Sequence, residues 1–163
     1  MSIKDLEEKI NNNEINDAIS IVEKIAEAKN ENAVPYLIKL LESTDNHLLR
    51  NAISLALSDI GNEEAIEPII RLLKHSKTKG YRGTLLAALE PFDYSGQLDT
   101  LVDFMCKGNF EVSRKSLLLI EAIAEDMSPE TRQKYNTIIR DEIDKLQDKI
   151  NFLSESLNLF AKK

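Results

Sequence analysis

Apolar residues recur at spacings of three and four through most of the chain, the period of a helix that buries one face. Ile66, Ile69, Ile70 and Leu73 form one such stripe, and Leu98, Leu101, Val102 and Met105 form another. The second set is the first displaced by 32 residues, and the same shift carries Leu41 onto Leu73, Arg50 onto Arg82 and Leu57 onto Leu89. Pro35 maps onto Pro68 by 33. A period near 32 that is long enough for two helices predicts an α-solenoid, in which each helical hairpin buries its apolar face against the next.

Each unit reads as helix, short turn, helix. The first predicts helix A over 33–43 and helix B over 47–60, with Asp45 in the turn and Gly61 closing helix B. The second predicts helices over 65–75 and 80–90, stopped by Pro91 and the turn Phe92-Asp93-Tyr94-Ser95-Gly96. The third predicts helices over 97–106 and 110–125, with Gly108 and Asn109 between them. Before these, residues 2–11 and 14–29 form a shorter pair around Asn11-Asn12-Asn13, with Ile15, Ile19, Val22 and Ile25 facing inward.

The strongest unit runs Ala33-Val-Pro-Tyr-Leu-Ile-Lys-Leu-Leu, then Asp45, Leu49-Arg50, Ala52, Ala56-Leu57 and Ile60-Gly61. This wording resembles HEAT repeats, particularly the short bacterial kind related to phycobilin lyase-type repeats. The second unit keeps Pro68, Leu72-Leu73, Tyr81-Arg82 and Ala88-Leu89 but has Lys77 in place of the turn aspartate; the third has Asn109 there and no proline. The resemblance covers about residues 33–125. It implies an all-α superhelix, structural roles for Asp45, Arg50 and Arg82, and a concave side lined by the B helices. It does not define a function, because such arrays are platforms of many kinds.

The C-terminal segment opens with Ser128-Pro129-Glu130, a cap residue, a proline at the first helical position and an acidic first turn. Apolar residues follow at Tyr135, Ile139, Ile143, Leu146, Ile150, Leu153, Leu157 and Phe160, a heptad-like stripe. One helix of this length would measure about 45 Å. It is read as a capping helix on the third repeat, or as a helix pair broken near Gln147–Asn151; its other use would be a dimerisation or partner-binding helix. The chain is thus assigned as a single domain, 1–163: an N-terminal cap pair (1–30), three repeats (33–126) and a C-terminal cap (128–161).

Composition narrows the chemistry. With 5 Gly, 4 Pro and no Trp, the 163 residues favour long helices, and a net charge of −7 removes the basic footprint that nucleic-acid binding requires. No apolar run approaches the roughly 18 residues of a membrane span, and the N-terminus lacks the apolar core of a signal peptide. The single Cys106 suits a reducing cytoplasm. His47 and His75 stand alone, and no HExxH, CxxC, phosphate-loop or GxSxG pattern occurs. Cys106 lies on the core-facing side of its helix beside Met105 and reads as a structural thiol. The expectation is a non-enzymatic protein with no cofactor, no metal, and no catalytic residue.

Aligning the four B helices places Glu23, Ser58, Glu90 and Glu121 at equivalent positions, with Asp59 beside Ser58 and Glu27, Asp93 and Glu125 about one turn on. Negative charge near a helix C-terminus opposes the macrodipole by roughly 0.3–1 kcal/mol per exposed site. Its repetition points to an acidic ridge that receives a basic protein, with Tyr94 and Phe92 as aromatic anchors beside it. Within that class the chain is similar in style to bacterial immunity proteins, which are small, acidic, cytosolic and helical and neutralise toxins such as nucleases. The competing readings are a generic scaffold or adaptor, and a HEAT-like enzyme of the lyase or DNA glycosylase kind. No nucleic acid or membrane partner is expected, and the chain is read as a monomer or a weak homodimer through its C-terminal helix.

Overall fold

A computed structural model describes residues 3–161 of the chain. The predicted start of the first helix, residue 2, lies outside the described residues. All regular elements described are helical. Four hairpins follow one another: α1 (Ile3–Asn11) with α2 (Ile15–Glu27), α3 (Val34–Ser43) with α4 (His47–Ile60), α5 (Ile66–Lys74) with α6 (Arg82–Ala87), and α7 (Leu98–Lys107) with α8 (Phe110–Ala122). The second helices pack in sequence, α2 on α4, α4 on α6 and α6 on α8, while α3 meets α5. One core of buried side chains runs through the stack from Leu6 to Leu119. This is the all-α superhelix expected from the repeat. No helix among the described residues is long and apolar enough to cross a membrane.

The helix ends follow local chemistry. Before α4, the Asn46 side chain accepts from the amides of Leu48 and Leu49 at 3.0 and 3.1 Å, an N-cap that contributes about 1 kcal/mol. Gly61 closes α4 in the left-handed region at φ 80°, its amide bonded to the Leu57 carbonyl. Both ends of α4 match the predicted limits. α6 is shorter than predicted, ending at Ala87 and not at residue 90. The Pro91 ring would collide with the carbonyl four residues back, which is that of Ala87, so the proline acts one turn before its own position. The A helices α3, α5 and α7 are each entered through one 3₁₀ turn, Glu31–Ala33, Glu63–Ala65 and Ser95–Gln97.

Neighbouring units are tied by polar contacts as well as by the core. The Arg71 guanidinium donates to the Glu42 carboxylate at 2.9 and 2.7 Å, and Lys77 donates to the Glu42 carbonyl at 2.6 Å. Asp45 stands in solvent with Lys77 4.0 Å away. Arg82 reaches the next unit, its guanidinium lying 4.9 Å over the Phe104 ring. Arg50, the matching residue one repeat earlier, stays within its own hairpin and donates to the Thr44 carbonyl at 2.9 Å.

The C-terminal segment is one unbroken helix, α9 (Pro129–Ala161). The Ser128 hydroxyl accepts from the Thr131 amide at 3.1 Å, the cap expected from Ser-Pro-Glu. The break near Gln147–Asn151 does not occur; those two side chains bond to each other along one helix at 3.0 Å. The helix caps the fourth hairpin through its N-terminal part. Only the first turns dock: Tyr135 packs on Leu98 and Val102, with Ile139, Met105, Cys106 and Met127 around them. Lys134 at 2.6 Å and the Tyr135 hydroxyl at 3.1 Å both donate to Asp99 and hold its carboxyl below the usual carboxylate range. Contact with α7 continues along one side as far as Glu142, which stays partly covered near Cys106 and Lys107, while Ile143, Leu146, Ile150, Leu153, Leu157 and Phe160 are exposed. The stripe read as core-facing is therefore core only at its beginning.

Candidate functional site

On α2 the buried stripe is Ile21, Val22, Ile25 and Ala26. That arrangement turns Glu23 and Glu27, four residues apart, to one exposed edge. On α4 the core takes Leu49, Ile53, Leu57 and Ile60. Ala52, Leu55, Ala56 and Asp59, at spacings of three, four and seven, form the face alongside α2. The alanines keep the two helix surfaces shallow, and a groove of about 290 Å³ opens between them. Its lining is Glu23, Ala26, Glu27, Ala52, Leu55, Ala56 and Asp59. Leu55 is 45% exposed, an apolar floor with three carboxylates around it. At the end of the groove the Lys29 ammonium donates to the Asp59 carbonyl. That places a cation on the negative pole of α4 and leaves the acid side chains exposed at the rim.

The structure thus gathers three of the predicted ridge residues, Glu23, Glu27 and Asp59, into one groove. Glu90, Asp93, Glu121 and Glu125 are exposed on later repeats and lie outside it. Asp93 serves its own turn, where its carboxylate accepts from the Ser95 amide at 3.0 Å, and bonds from Ser95 hold its pKa below the usual value. Near Glu125, Arg132 donates to the Ala124 and Glu125 carbonyls at the end of the fourth hairpin.

Tyr94 is not a surface anchor. Its ring is 4% exposed and Phe92 is 7% exposed, so both fill the core beneath the turn. The Tyr94 hydroxyl donates to the Leu119 carbonyl at 3.0 Å; burial, and then the charge of Glu90, push the phenol pKa up. Replacing Tyr94 with Phe should strand that carbonyl and lower stability by about 1–3 kcal/mol in urea unfolding, with no change in binding at the groove.

Leu55 has no place in the repeat wording, which marks the core stripe. Its signal is an apolar residue out of phase with that stripe, seven residues after Leu48, which is also exposed. Cys106 is partly buried between α7 and α9. Burial, and then the nearby Glu142 and Asp103 charges, raise its pKa, the setting of an unreactive thiol. Among the described residues no group of three His, Cys, Asp or Glu side chains is placed to hold a metal ion.

The paired helices in register and their continuous core are those of a helical-repeat solenoid. The chain matches the family model for HEAT repeats over residues 3–90, just over half its length, and belongs to that family. It is also similar to the bilin biosynthesis protein PecE of Nostoc sp. (strain PCC 7120), being 34% identical over 73 residues. That alignment covers 44% of this chain and 29% of the relative, so the chain spans less than a third of that protein's length. No solved structure matches it.

Proposed function

We propose that this HEAT-repeat chain is a binding module whose α2–α4 groove receives a basic, amphipathic segment of another protein. The observation that carries this reading is the apolar floor of Leu55, Ala52 and Ala56 set between Glu23, Glu27 and Asp59. An amphipathic helix with lysines or arginines beside an apolar ridge meets that surface with matching charge and shape. In this reading the chain works by occupancy and has no chemistry of its own, and it acts in the cytoplasm, where its single thiol stays reduced.

The test uses a fluorescent model helix bearing leucines on one face and lysines beside them. Its anisotropy is titrated with the wild-type chain and with the triple variant Glu23→Gln/Glu27→Gln/Asp59→Asn. The wild type should bind at least about tenfold more tightly at low salt, and only its affinity should fall steeply as salt rises. Equal affinity for both proteins would remove the groove from consideration.

The narrower reading within this class is an immunity protein that neutralises a basic toxin such as a nuclease. It is supported by the net charge of −7 and the acidic rim. A toxin encoded beside this chain, inhibited by the wild type and not by the triple variant, would establish it. A role with bilins, suggested by the relative's name, has charge against it at this groove, since bilins carry propionate carboxylates of their own.

A further inference from the structure

We propose that the projecting part of α9, from Ile143 to Phe160, pairs with the same segment of a second copy of this chain in a two-stranded coiled coil. Ile143, Ile150 and Leu157 recur every seven residues and take the first core position. Leu146, Leu153 and Phe160 take the second, three residues after each. A β-branched residue at the first position with leucine at the second favours two strands, and the first two heptads have that pattern. All six side chains are half or more exposed, and none belongs to the cluster that seats Tyr135 on the repeat body. A helical segment of this length is marginal in water without a partner to cover its apolar side.

The charges along α9 identify the occupant. Asp141, Asp144, Asp148 and Glu155 fall at the positions turned away from the stripe. The positions flanking it between Ile143 and Phe160 are Gln147, Lys149, Ser154 and Ser156, with a single charge among them. Two copies of a chain with net charge −7 can therefore meet along this seam without opposing carboxylates. On an anionic lipid surface the stripe would be buried and its flanks would need the lysines and arginines of a surface-bound helix, whereas Lys149 is the single cation among these flanks. A foreign basic helix would find its carboxylates on the wrong side of the stripe. Twelve side chains from two copies would remove roughly 500–1,000 Å² of apolar surface from water. With the polar rims this approaches the ~1,200 Å² of the smaller specific interfaces.

Sedimentation equilibrium of the full chain up to about 100 µM tests the pairing. The wild type should sediment as a dimer at the top of the range and dissociate on dilution, losing helical circular dichroism as it does. Ile150→Glu/Leu153→Glu should be a monomer throughout with the repeat body's melting transition unchanged, because neither side chain touches the body. Asp148→Asn, on the opposite side, should remain a dimer. A wild-type monomer at about 100 µM, a trimer, or a double variant that still dimerises overturns the proposal. So does a monomer whose helical signal rises on adding anionic phosphatidylserine vesicles, which would assign the stripe to lipid.

Discussion

Truncating Leu57 to alanine should lower the unfolding free energy by about 2–5 kcal/mol, the range for deleting a fully buried leucine side chain. Leu57 is 0% exposed and sits on α4, the helix that packs against α2, α3 and α6. Elements on three sides hold the walls of the resulting cavity apart, so collapse would recover little of the lost contact. In a stack whose stability comes from each unit and its neighbours, a defect at this crossing weakens two interfaces at once. The measurement is urea unfolding followed by circular dichroism. The control lies two residues earlier: Leu55→Ala, on the exposed face, should cost under about 1 kcal/mol yet weaken binding of the basic model helix. Equal losses of stability from the two substitutions would show that α4 does not present the faces described.

The features legible in the sequence and those that are not divide along physical lines. The hairpins are legible because a period of 32 residues forces the same core positions to recur, and because Asn46 and Gly61 mark the ends of α4 with side-chain and backbone chemistry of their own. The turn at Phe92–Gly96 misleads by its composition. Phe92 and Tyr94 stand among turn-forming Asp93, Ser95 and Gly96, yet both rings are buried, and the Tyr94 hydroxyl reaches back to the Leu119 carbonyl. The fate of α9 is open for a different reason. A heptad stripe is the same string of letters whether it covers the last repeat or meets another chain, and only the packing of Tyr135 and Ile139 against the last hairpin shows which part of it meets the body. The register of carboxylates along the B helices is legible, but it does not distinguish Glu23, Glu27 and Asp59, which line the groove, from Glu90 and Glu121, which do not. The groove needs two further facts, that α2 lies directly against α4 and that alanines line the meeting edges, and neither follows from one helix considered alone.

Replacing Arg50 with methionine should leave stability within about 1 kcal/mol of the wild type, whereas alanine at the same position should cost about 2–5 kcal/mol. Arg50 is 2% exposed. One terminal nitrogen donates to the Thr44 carbonyl at 2.9 Å, but the Nε has no hydrogen-bond partner. A buried guanidinium with an unfilled donor carries a desolvation penalty that its packing and its one good bond must offset. Methionine keeps most of the stem's contacts and removes the orphan donor and the charge, at the cost of the Thr44 bond. Alanine loses the bond and the packing together. Because Arg50 ties the turn at Thr44 to the first turn of α4, the pair of variants also asks what fixes the rotation of that helix. If packing of the stem sets it, the methionine variant will keep Ala52, Leu55 and Asp59 facing α2 and bind the basic model helix as the wild type does. A methionine variant as unstable as alanine would show that the polar head, and not the packing of the stem, holds the site; one that is stable but unable to bind would show that the head's bond to Thr44 aims the groove.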